Sequence, residues 1–202
     1  MKTAAELMKK KIFLKNEMDK VMVKDESDSL WEATRDKLQT VLDKYGDLPA
    51  GVQSHTNSIF PAAAVYQTVR EKYGDDKAYK IVEDGAIGLC AKVHPILVKI
   101  MKIPGMPSLF IKMWDPMTKK KFGPACGFKN KFYPKKKDEY KMDVIDCPYY
   151  KYFTELGCPE LTKIYCDNDE RIYGNLPGIK FERAGTIGKG ADHCDFYIRR
   201  VR

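Results

Sequence analysis

The residues best suited to chemistry in this chain are its cysteines, at 90, 126, 147, 158, 166 and 194. A thiolate is both a strong nucleophile and a soft metal ligand. None is spaced as Cys-x-x-Cys and no apolar leader precedes them, so neither a disulfide framework nor a ribbon-type zinc site is indicated. Cys90 falls in a long apolar run and Cys126 in a glycine-rich break, where a small packing residue is expected. Cys158, between Gly157 and Pro159, marks a corner between helices. Cys147, Cys166 and Cys194 differ, because each has polar company near the end of an element. Their expected meeting point is one pocket.

Spacing links some of these residues further. Asp169 follows Cys166 by three positions, so on a helix both side chains share a face and reach one ligand or proton. The competing reading makes Cys166 packed core and Asp169 a helix cap. In Asp192-His193-Cys194, alternation along a strand puts Asp192 and Cys194 on one side and His193 on the other. Thr186-Ile187-Gly188-Lys189-Gly190 is not a phosphate loop, since no helix follows and no Gly-Lys-Ser/Thr ending is present. No Gly-x-Ser-x-Gly elbow occurs. The aromatic run Tyr149, Tyr150, Tyr152 and Phe153 could stack on a base, but its helical offsets also suit a helix wedged into the core.

The elements that must position these groups follow from periodicity. Residues 1–25 read as an amphipathic lead-in helix, and 26–202 as one domain. A helix ends at Tyr45-Gly46-Asp47-Leu48-Pro49, another spans 57–73, and a mostly apolar one spans 76–101 with a kink expected at Pro95. A short helix is expected over 107–117. Alternation over 128–133 and 139–145 predicts a hairpin across Pro134-Lys135-Lys136-Lys137-Asp138. Helical spacing returns over 147–156 and 159–173, and strands close the chain at 179–183 and 195–201. Helices followed by β-β-α-α-β-β predict an α+β fold with an antiparallel sheet of about four strands.

Composition bounds the function. The chain has 202 residues, 44% apolar and 32% charged, with 11% aromatics, as in a domain with a real core. Its longest stretch without Asp, Glu, Lys or Arg is too polar for a bilayer, and the cytoplasm is the expected location. Net charge is +8, yet residues 92–141 hold 13 lysines, no arginine and three acids, so the remainder sums to about −2. Lysine without arginine lacks the bidentate group that reads bases, so this segment reads as solvated surface. The expected partner is a small, anionic molecule, with no nucleic acid and no membrane, and a homo-oligomer is compatible with the sequence.

Five blocks in order resemble the L-2-amino-thiazoline-4-carboxylic acid hydrolase family. They are Cys147-Pro148-Tyr149; Leu156-Gly157 with Pro159-Glu160-Leu161; Cys166-x-x-Asp169; Phe181-Glu182-Arg183 with Thr186-Ile187; and Gly190-x-x-x-Cys194-Asp195-Phe196. Asn57 and the run from Ala62 to Tyr66 extend the similarity toward the N-terminus. The resemblance implies hydrolytic opening of a cyclic amidine, a 2-aminothiazoline carboxylate, to an N-carbamoyl-cysteine. A weaker similarity is to 4-vinyl reductase-type ligand-binding domains, α+β sensors with a cysteine-bearing site. Their zinc-binding Glu-x-x-Cys is incomplete here, because Gly185 stands three places after Glu182.

Thiolate chemistry suits such a substrate, whose C2 is electrophilic once the ring nitrogen is protonated. The resemblance therefore implies Cys166 or Cys194 as nucleophile, with Asp169 as proton carrier and Cys147 and His193 as further catalytic candidates. Alternatively, Cys147, Cys166 and Cys194 would hold zinc or another divalent metal. Asn57, Tyr149, Arg183 and Lys189 are the expected substrate-holding residues, with Arg183 or Lys189 on the carboxylate; an exposed strand position is the other reading of Arg183. The alternatives in function are a noncatalytic small-molecule sensor, or an isomerase or lyase on the same scaffold.

Overall fold

The computed structural model describes residues 2–134 and 136–201. Lys135, in the turn expected between the first two strands, lies outside the described residues. Six helices come first: α1 (Ala4–Lys10), α2 (Ile12–Val21), α3 (Lys24–Lys44), α4 (Ala50–Tyr73), α5 (Asp75–Met101) and α6 (Met106–Lys121). A 3-10 turn at Pro124–Cys126 leads into β1 (Lys129–Phe132) and β2 (Glu139–Asp146). Then come α7 (Pro148–Glu155), α8 (Leu161–Tyr173), β3 (Ile179–Glu182), a 3-10 turn at Ile187–Lys189, and β4 (Cys194–Arg200). The fold is α+β, and the four strands are antiparallel in the order β1-β2-β4-β3.

The order of elements follows the sequence expectation in outline, with a difference at the start of the helical part. The lead-in is two helices, broken at Lys11, whose φ of −105° and ψ of 19° leave the helical region. A capping box between Thr3 and Glu6 starts the first of them. Both helices bury their apolar side chains, Leu7, Met8, Leu14 and Met18, in the same cluster as α3 and α4. α5 runs through Pro95 and ends at Met101.

Two packed regions result. The helical one centres on α4, whose buried Ala62, Ala63 and Ala64 allow neighbouring helices to approach closely. The second lies under the sheet. Tyr140, Met142 and Val144 of β2 point inward, and their partners across the ladder, Ile198, Phe196 and Cys194 of β4, point the same way. They pack against Ile111 and Trp114 of α6. The described lysines of the basic segment 92–141 are all exposed. Among the described residues no helix is long and apolar enough to cross a membrane.

The start of α4 meets the 3-10 turn before β1 at Gly51, where an added Cβ would run into the Ala125 carbonyl, backbone that cannot swing aside. Gly51→Ala should therefore cost about 1–3 kcal/mol of unfolding free energy. Urea denaturation read by circular dichroism measures it, and an unchanged midpoint would show that this contact is not fixed.

Candidate active site

Between the two packed regions lies a cavity of about 220 Å³. The ladder brings Cys194 to it from β4, α8 presents Cys166 and Asp169 on one face, and Cys147 enters from the start of α7. The three cysteines expected to converge all line this cavity, together with Tyr149 and Arg183.

Arg183, just past the end of β3, organises the polar side. Its side chain is only 4% exposed. Nη2 donates to Asp169 Oδ2 at 2.7 Å, Nη1 to the Cys166 carbonyl at 2.9 Å, and Nε to the Asp195 carbonyl at 3.3 Å. The guanidinium lies 4.0 Å from the centre of the Phe196 ring. Arg183 is thus neither an exposed strand residue nor a free clamp. Burial pushes the Asp169 carboxyl up, and Arg183 pulls against that. The 32% of the Asp169 side chain that stays accessible belongs to a residue lining the cavity.

The thiols form a graded set. A hydrogen bond shared with Cys194 lowers the Cys166 pKa; burial opposes it, while the Thr186 hydroxyl, the Gly188 N–H and the Arg183 charge add to the lowering, to about 6. Thr186 Oγ1 makes no hydrogen bond of ordinary geometry, but its dipole still favours the thiolate. Cys194 moves upward, because it keeps the proton it shares with Cys166 and is itself buried. Its Sγ accepts the Ile187 N–H at 3.2 Å. Burial pushes Cys147 up to about 11. The 3-10 turn approaches this closely only because of Gly188, where a Cβ would sit 2.9 Å from Cys166 Sγ and 3.1 Å from the Lys163 nitrogen.

Other expected site residues are elsewhere. Asn57 lines a separate cleft with Lys10, Lys11 and Ser58. His55, two residues earlier and so about 200° around α4, faces the cavity side. Lys189 does not line the cavity and is held by Asp167 at 2.5 Å. His193 precedes β4 and lines a groove on the outer face of the sheet with Asp143 and Asp192. Tyr149 contributes its ring, while its hydroxyl is committed to His55.

A zinc site through the three cysteines does not fit. Among the described residues no group of three or more His, Cys, Asp or Glu side chains is arranged to hold a metal ion.

His55 is the residue that sequence reasoning missed. Its Nε2 lies 2.6 Å from the Lys121 carbonyl, which can only accept, so the proton sits there and Nδ1 accepts the Tyr149 hydroxyl at 3.0 Å. Burial lowers its pKa, which keeps the ring neutral. No sequence signal separated this histidine from the polar residues around it.

Replacing Arg183 by Lys keeps the charge but cannot span three acceptors. Arg183→Lys should lose about 1–3 kcal/mol, limited by the partial solvation of Asp169, and loosen Cys166. Denaturant unfolding and thiol alkylation rates read both effects, and wild-type values in each would remove the guanidinium from its organising role.

The comparisons with known proteins bear on the same stretch of chain. Neither a curated protein nor a solved structure matches it. Residues 54–198 match the family described as L-2-amino-thiazoline-4-carboxylic acid hydrolase. This span contains His55, the three cavity cysteines, Asp169 and Arg183. The chain belongs to the L-2-amino-thiazoline-4-carboxylic acid hydrolase family.

Proposed function

We propose that the protein is a thiol-dependent hydrolase that opens a small cyclic amidine of the 2-aminothiazoline type. The observation that carries this reading is a cysteine whose surroundings favour its thiolate, on the same helical face as a partly buried carboxyl, both lining one cavity. The family description supports the reaction class.

In this reading the Cys166 thiolate attacks C2 of the protonated amidine and forms a C–S bond, while Asp169 exchanges the proton on the ring nitrogen. The tetrahedral centre collapses by breaking the bond from C2 to the ring sulfur, which leaves as a thiol after taking a proton. Water then adds to C2, and the Cys166–C2 bond breaks to return the thiolate and release a urea. The sum is amidine plus water giving urea plus thiol. Cys194 keeps its proton and stabilises Cys166 between turnovers, and the Arg183 pair holds Asp169 in reach.

Turnover is measured by the thiol released from 2-aminothiazoline-4-carboxylate and from 2-aminothiazoline. Cys166→Ser should lower the rate by about 10³-fold or more with little change in melting temperature, and Asp169→Asn by about 10²-fold. Retained turnover in folded Cys166→Ser would overturn the nucleophile assignment. If wild-type protein binds these compounds and returns them unchanged, the sensor alternative stands instead.

The pH dependence has a defined sign. The active form is the Cys166 thiolate, so activity is present above its pKa and lost as pH falls through it. The acid limb should fall near pH 6, below the ordinary thiol value of about 8.5. A limb at the ordinary value would mean that the shared proton does not activate Cys166.

A further inference from the structure

We propose that the face formed by the end of α5, the turn that follows and α6 docks on an anionic lipid bilayer. The inference stands apart from the ring-opening reading, and it replaces the expectation of no membrane partner. Among the described residues no helix is long and apolar enough to cross a membrane, and docking on a bilayer surface requires none.

The composition of this surface is restricted. From Ala91 to Lys121 every exposed residue is a lysine, an apolar residue, a proline or a glycine. Of the twelve large apolar side chains exposed among the described residues, six fall in this stretch: Ile96, Ile100, Ile103, Leu109, Met113 and Met117. Leu109, Met113 and Met117 step by four along α6 and form one outward stripe, while Ile111, Trp114 and Thr118 of the same helix are buried. Helix α6 is thus apolar on two sides, and the chain covers one of them. Ile96 and Ile100 make the same step on α5, and exposed Ile103 and Pro104 continue the apolar surface through the turn between the helices. Single exposed apolar residues need no partner, but a run of this kind marks an interaction site. Met117 also lines the cavity, so the face adjoins the candidate active site.

Charge selects the occupant. Lysines stand at 92, 99, 102, 112, 119, 120 and 121, and the one acid of the stretch, Asp115, is partly buried. Only Lys119 of these seven is ion-paired among the described residues, to Asp115 at 2.8 Å. Uncompensated positive charge beside apolar side chains is complementary to anionic headgroups over acyl chains. Lysine stems can lie along the apolar layer while their ammonium groups reach the phosphates. A protein partner fits less well, because protein interfaces favour Tyr, Trp and Arg and are poor in Lys. No exposed residue here is aromatic or Arg. A second copy meeting the same face would set like charges against each other. Nucleic acid would use the lysines and leave the apolar stripe in water.

Flotation of the full chain with phosphatidylcholine vesicles, with and without phosphatidylserine, tests the proposal. Binding should be about tenfold or more tighter with phosphatidylserine at low salt, and should weaken as salt rises. Leu109→Ser with Met113→Ser should lower that binding by about tenfold, and Lys112→Glu with Lys120→Glu by about a hundredfold. All four positions are exposed. Circular dichroism checks that each double variant is folded, and if one is not, the other carries the test. Absent binding to phosphatidylserine vesicles, equal binding to both kinds, or binding that a folded double variant leaves unchanged overturns the proposal. Protein that ignores the vesicles but forms a dimer broken by Leu109→Ser with Met113→Ser, or that binds duplex DNA tightly instead, overturns it in favour of that occupant.

Discussion

The site depends on one buried guanidinium. A charge taken out of water costs several kcal/mol unless it is paired and hydrogen-bonded, and Arg183 meets that condition by drawing on two other elements. It takes a carboxylate and a carbonyl from α8 and a carbonyl from β4, while its flat face rests on Phe196. Because those partners are spread over helix and sheet, the guanidinium fixes the distance between them. The cavity is the space left beside that bridge, so its polar end and its aromatic walls share one cause.

The same bridge governs the charge state of the thiols. Cys166 lies among groups that favour an anion: a thiol that keeps the shared proton, a backbone N–H, a hydroxyl dipole and the Arg183 charge. Each would be weak in water, where solvent already stabilises a thiolate. In a partly buried site these groups weigh more heavily on which sulfur is charged. Gly188 is what lets the backbone come close enough, since any Cβ there would occupy the volume next to Sγ.

Much of this was legible in the sequence. Alternation located the hairpin of β1 and β2, but it did not hold before β4: Asp192 lies in the outer groove with His193 while Cys194 lines the cavity, because the strand begins only at Cys194. The three-residue step from Cys166 to Asp169 survives because α8 is regular there. What was not legible depended on rotation and long-range pairing. Asn57 and His55 are both polar residues on α4, and only the packing of that helix turns the histidine toward the site. Lys189 looked free because its partner Asp167 lies on another element. The break at Lys11 carries no glycine or proline, so periodicity ran through it.

The outer face of the sheet explains how the bridge stays in place. Asp143 and Asp195 are directly opposed across β2 and β4, a like-charge pairing that weakens a ladder. Each carboxylate has a partner that offsets this. Asp143 accepts the Tyr133 hydroxyl at 2.6 Å, and Asp195 accepts the N–H groups of Ala184 and Gly185 at 2.8–3.0 Å. Burial would raise the Asp195 carboxyl, but those N–H groups hold it below the usual range. Its side chain therefore grips the two residues that follow Arg183, while its carbonyl accepts the Arg183 Nε. One residue clamps both the backbone that follows the bridge and the side chain that forms it, so an outer-face carboxylate that does not line the cavity helps to set the position of the inner charge.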